Sequence, residues 1–252
     1  MVNSSFQYFP AIPISHSKDM VHWKIIGHAI TNNEWLDLSN IPDSHGIWAP
    51  DISYYNGTFY IFATLRLNGD GKRGNDTLRR QLVVTAKNPD GSITVKHYMM
   101  IAAGVRAVEL SDDCTKVVGE PKTVWAGTGA RCPEGPHILK KDGYYYAILA
   151  EGGTGYGHRI SVARSTELFG TYEESPYNPV MTQTDENALI QRCGHGKLVQ
   201  STDGTWWCYY LCGRKNGGKF TTCGRESALD PVTFTEDGWF KTGDMGVIDS
   251  DG

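Results

Sequence analysis

The sequence predicts an all-β fold built from repeated antiparallel hairpins. Three observations carry that prediction. An Asn-Gly or Asp-Gly pair falls between two apolar runs at residues 55–63 (YNGTFYIFA), 141–149 (KDGYYYAIL) and 202–210 (TDGTWWCYY). Such a pair between strand-like runs is the short-range signature of a β-hairpin. The composition, with 29 Gly, 13 Tyr and 7 Trp in 252 residues, suits short strands and many turns. No segment carries an apolar stripe at the helical period: residues 165–170 are too few, and residues 182–192 lack the stripe.

Each hairpin is led by a run opened by Pro or Gly, at residues 49–53 (APDIS), 135–139 (GPHIL) and 194–198 (GHGKL). A unit recurring at this length in an all-β chain reads as propeller blades or as another repeat architecture. Gly143 and Gly204 are 61 residues apart, enough for one blade with its loops. Gly57 and Gly143 are 86 apart, too many for one blade and too few for two. The compressed stretch lies between Gly91 and Gly104, and residues 1–6 read as the end of a hairpin whose first strand does not appear.

Charge and cysteine content exclude several classes. With 24 basic and 28 acidic residues the net charge is -4, which offers no cationic face to a polyanion, so nucleic acid is not an expected partner. No run approaches the ~18 apolar residues of a membrane span. Residues 1–10 lack the basic and apolar regions of a signal peptide. Of the six cysteines only Cys208 and Cys212 are close in sequence, so a zinc quartet is not indicated. The cysteines read as buried free thiols, which points to a reducing, cytoplasmic compartment, with secretion left open should the native N-terminus be missing. Sequons at Asn3, Asn56 and Asn75 are too short to decide the matter.

In a propeller the leading ends of the inner strands converge on one face, however distant in sequence. Here those segments carry Trp48 and Asp51, then Glu134 and His137, then His195. Carboxylates do acid–base chemistry on glycosidic bonds, and aromatic faces stack on sugar rings. Each residue also has a plainer use, since Asp before a strand commonly caps a turn and Trp there commonly fills a core.

Six motifs in order resemble glycoside hydrolase family 43, a family of five-bladed β-propellers. They are residues 4–14 (SSFQYFPAIPI) with 17–23 (SKDMVHW), 46–52 (GIWAPDI), 132–137 (CPEGPH), 151–158 (EGGTGYGH), 194–199 (GHGKLV) and 224–232 (GRESALDPV). The branch they are most similar to contains β-xylosidases and α-L-arabinofuranosidases. The resemblance implies a single catalytic-type propeller over residues 1–252 that removes xylose or arabinofuranose units, with inversion, from oligosaccharides or small aryl glycosides. It implies that Glu134 is the general acid, that Phe6 and Trp48 wall the sugar subsite, and that Thr154 lies near the sugar. Arg225 is expected to reach the terminal sugar, and Asp51 to be a subsite or structural residue. His195 matches an axial histidine close to the substrate and to a structural calcium; bond cleavage itself requires no cofactor. A half-buried Glu beside aromatic rings is expected to keep its proton.

The chain departs from the family pattern in three places. The Pro-Asp-Pro-Ser-type motif bearing the general base is not found before residue 4, and the Ile-Asp-Pro-type motif bearing a second Asp is not found between residues 83–90 and 104–110. A C-terminal sandwich domain is also lacking. These departures imply an incomplete propeller, without its N-terminal strand and part of one blade, and impaired activity. A non-catalytic sugar-binding propeller, or a fragment of such an enzyme, is the alternative. A protein-interaction propeller would show Gly-His and Trp-Asp or kelch signatures in every blade, and it does not.

Overall fold

A computed structural model describes residues 1–55, 57–67, 79–87, 97–216, 218 and 221–242. The described residues form strands and no α-helix, in five antiparallel sheets, the number of blades expected. The chain divides into two compact units, Met1–Val95 and Lys96–Gly252.

The first unit holds a two-stranded sheet, β1 (Ala11–His16) and β2 (Lys24–Ile30), and a meander of β3 (Gly46–Tyr55), β4 (Thr58–Arg66) and β5 (Arg79–Lys87). Ala11, Ile12, Ile30, Ile47, Ile61 and Ala63 form its core. The N-terminal segment is stitched to both sheets: Val2 bridges Ile14, and Phe6 exchanges both backbone hydrogen bonds with Ile47 at 3.0 and 2.9 Å. That approach requires Gly46, where a Cβ would lie 2.2 Å from the carbonyl oxygen of Phe6.

The second unit holds three sheets. The first is β6 (His97–Ile101), β7 (Val105–Leu110) and β8 (Lys122–Trp125). The next is β9 (Glu134–Lys141), β10 (Tyr144–Glu151), β11 (Arg159–Ser165) and β12 (Glu173–Glu174), with β13 (Met181–Thr182) also pairing β11. The last is β14 (Ile190–Gln200), β15 (Trp206–Arg214), β16 (Glu226–Phe234) and β17 (Phe240–Thr242). The leading strands β9 and β14 are neighbours, so the starts of two sequence-distant repeats meet. β10 explains its own unbroken apolar run. Tyr146 and Ile148 enter one core with Ile160, Tyr210 and Trp239, while Ala147 and Leu149 on the opposite face enter another with Val105 and Trp125.

The three expected hairpins form, with different turns. Asp142 (φ 47°) and Gly143 (φ 83°) make a two-residue turn between the paired Lys141 and Tyr144, with both central residues left-handed as that turn demands. Asp203-Gly204 instead sits in a five-residue loop, where Asp203 accepts hydrogen bonds from the backbone N–H and hydroxyl of Thr205. A fourth such loop, unread in the sequence, joins β16 to β17 through Asp237-Gly238, with Gly238 N–H donating to Thr235 and Thr235 N–H to Trp239. Residues 91–96 of the compressed stretch lie outside the described residues; the sheet that includes the rest of it has three strands where the β14 sheet has four.

All six cysteines are free. Cys114, Cys193, Cys208 and Cys212 are buried as expected, but Cys132 is only partly covered and Cys223 is exposed. Both stand in loops outside the strands, where no sheet partner covers them. Burial pushes the Cys193 and Cys208 thiols up to about 12, so they are inert packing groups at neutral pH.

Candidate active site

Glu134 opens β9, and Gly135 behind it has φ +58°. Its partner on β10 is Ala150, across a register shift after Ile148. β14 carries two further register shifts, with Arg192 inside the first and His195 inside the second, and both residues take left-handed φ, 59° and 52°. Bulges of this kind swing side chains out of the pleat, and here they turn β14 toward β9. A Cβ on Gly135 would stand 2.5 Å from Nε2 of His195, so the ring sits directly over the glycine.

The result is a polar cluster. Oε1 of Glu134 is 3.8 Å from Nδ1 of His195, too long for a hydrogen bond and suited to a charge contact. His158, at the head of β11, completes the set: one ligand atom each of Glu134, His158 and His195 lie within 4.8 Å of one another. His158 is 2% exposed and its Nδ1 is 3.0 Å from the carbonyl oxygen of Arg192. A carbonyl only accepts, so Nδ1 carries the proton and Nε2 is a bare acceptor. Among the described residues Nε2 has no hydrogen-bond partner.

The electrostatics correct one expectation. Glu134 does not keep its proton more easily. The His195 imidazole beside it holds the carboxyl below its ordinary range, burial pushes the other way, and the permanent charge of Arg225 adds a smaller pull. Desolvation drives His158 in the opposite sense to a charged histidine, favouring the neutral ring. A general acid needs its proton at the working pH, so a second carboxylate near Glu134 would oppose the pull of His195.

Beside the cluster lies a cavity of about 310 Å³ lined by Thr154, His158, Arg192, Gly213, Thr221 and Arg225, among others. That is the small end of the ~300–1,000 Å³ typical of ligand sites. Among the described residues no carboxylate lines it. Arg192 lays its guanidinium over the Tyr156 ring at 5.0 Å, and Nε of Arg192 is buried with no hydrogen-bond partner among the described residues. Two guanidiniums and a threonine hydroxyl can read the hydroxyls of a single sugar ring.

Of the residues expected from the sequence, the second unit thus brings together Glu134 and His195, and gathers Thr154 and Arg225 at the cavity that His158 shares. Phe6, Trp48 and Asp51 belong to the first unit. There Nε1 of Trp48 donates to the carbonyl of Ser44 at 2.9 Å, Arg66 covers its ring at 4.8 Å, and Asp51 follows a bulge in β3. Two residues were missed. His158 had a signal, because Gly157-His158 repeats the Gly194-His195 pair at the head of a strand; Arg192 had none. The calcium expected at His195 does not match the donors found. Calcium takes six to eight oxygens, and the cluster offers two imidazoles and one carboxylate.

Glu151, in the EGGTGYGH motif, is not part of this chemistry. It is fully buried and accepts from the N–H and hydroxyl of Thr128 at 3.0 and 2.7 Å, which anchors that loop.

Comparison with known proteins shows the family. The profile of glycosyl hydrolases family 43 matches residues 1–108 and 98–240. A non-reducing end alpha-L-arabinofuranosidase of Bacteroides ovatus is 40% identical over 98% of this chain and 50% of its own. A xylan 1,3-beta-xylosidase of a Vibrio species is 34% identical over 99% of this chain and 54% of its own. The crystal structure of the GH43 protein BlXynB of Bacillus licheniformis superposes with a TM-score of 0.89 at 59% identity, over 96% of this chain and 52% of that one. The chain spans about half the length of these relatives.

Proposed function

The chain belongs to glycosyl hydrolases family 43, and we propose that it acts on terminal xylose or arabinofuranose units of plant-polysaccharide fragments, with Glu134 as the proton donor to the leaving oxygen. The observation that carries this reading is the half-buried Glu134 standing against His195 beside a sugar-sized cavity that presents Thr154 and Arg225. The names of the relatives, a xylosidase and an arabinofuranosidase, support the substrate class.

A second reading, sugar binding with little turnover, is favoured by one observation: among the described residues Glu134 is the only carboxylate in the polar cluster and none lines the cavity. Inversion needs an opposed pair of carboxyls ~6.5–9.5 Å apart. A panel of aryl glycosides separates the readings. Hydrolysis of the β-xyloside or α-arabinofuranoside above that of glucoside and galactoside supports the enzyme. Saturable binding of xylose or arabinose without turnover supports the second reading, and neither binding nor turnover overturns both.

A further inference from the structure

The bare Nε2 of His158 is a group that proton donation by Glu134 does not use. Its ring is locked by the Nδ1 hydrogen bond to the Arg192 carbonyl, the arrangement in which a metal-ligating histidine is commonly held by its second nitrogen. Two glycines make the space. A Cβ on Gly194 would lie 2.5 Å from Cδ2 of His158, as one on Gly135 would lie 2.5 Å from Nε2 of His195. Three donors, at the start of β9, just before β11 and in the middle of β14, therefore face one another: two imidazoles and a carboxylate.

We propose that Glu134, His158 and His195 form a binding site for a divalent cation of the zinc class, and that such a cation blocks the site for glycoside cleavage. Imidazole nitrogens with a carboxylate suit zinc, cobalt, nickel or copper rather than calcium or magnesium, and three protein ligands leave a fourth position open. Zinc–ligand bonds of ~2.0–2.1 Å at tetrahedral angles put ligand atoms ~3.3 Å apart. The present spread reaches 4.8 Å, and rotation of Glu134, the most exposed of the three and 3.8 Å from His195, shortens its distances to the two rings. A carboxylate bound to the cation cannot hold a proton for the leaving group. The binding half of this inference stands without the proposed function; the inhibitory half rests on it.

The test uses the 252-residue chain stripped with chelator, its exposed thiols first alkylated so that Cys223 and Cys132 cannot compete. Zinc is titrated against a chromophoric chelator, and cobalt is followed by its visible absorption, with calcium as comparison. One equivalent of zinc should bind with imidazole-type cobalt absorption, and calcium should not displace it. Glu134→Gln and His158→Gln should each weaken binding at least by the ~10–100-fold that loss of even an outer-shell partner costs. If His158→Gln fails to fold, Glu134→Gln carries the test, since its side chain is 41% exposed. Unchanged zinc affinity in Glu134→Gln, no bound equivalent, or preference for calcium overturns the site. Binding without inhibition of turnover overturns the inhibitory half alone.

Discussion

Gly135 and Gly194 decide where two imidazoles can stand, and they do so by lacking a side chain. At Gly135 the left-handed φ adds a second requirement, because an L-residue there is strained by ~1–2 kcal/mol before any clash. Gly135→Ala should therefore destabilise the chain by at least that amount and move His195 off Glu134. Urea unfolding measures the first effect, and the His195 ring resonances report the second. Protonation gives another residue-scale prediction. The folded chain holds His158 below its ordinary 6.5, so the unfolded chain binds a proton that the folded chain refuses. Stability must then fall as pH drops through about 6.5, with a slope of at most ~1.4 kcal/mol per pH unit for one proton. Glu134, held below its ordinary 4.5, contributes stability above that pH and loses it further into acid. Urea midpoints in chelator between pH 7.5 and 5.5 should fall for the parent and flatten in His158→Asn.

At the scale of elements, each sheet depends on loops that repeat a local chemistry. In the β16–β17 loop the hydroxyl of Thr235 receives the Trp239 N–H at 3.0 Å, which delivers a 2% exposed indole under Arg164, 3.9 Å from its ring, and edge-on to Tyr146. Trp239→Ala removes the largest fully buried side chain and should cost ~3–5 kcal/mol, read from urea unfolding. Much of this level was legible in the sequence. Asn-Gly and Asp-Gly pairs mark turns because they tolerate positive φ, and aromatic runs such as 144–149 mark strands buried on both faces. The β16–β17 hairpin escaped because β17 has three residues, too few to show alternation. Bulges escaped as well: register shifts around Gly194 and after Trp48 depend on which neighbour a strand meets, which no local pattern encodes. That is why Glu134 and His195 could be named from the segments that lead into the hairpins, while His158 showed only in its Gly-His pair and Arg192, aimed by a bulge, showed in nothing.

At the scale of the molecule, the chain supplies one unit with the Glu134, His158 and His195 cluster and another with the aromatic residues Phe6 and Trp48, in a family whose matched members are about twice as long. The account stands on Glu134 acting as proton donor despite the pull of His195. The direct measurement is kcat/KM of Glu134→Gln and the parent chain on two glycosides of the same sugar, one with an activated aryl leaving group and one with an alkyl leaving group. A positioned proton donor is typically worth ~10²–10⁴ in rate when the leaving group needs protonation, and little when it does not. The account predicts a loss of that size on the alkyl glycoside and a much smaller one on the activated aryl glycoside. Equal losses on both would contradict it, because Glu134 would then be holding the site together rather than donating the proton.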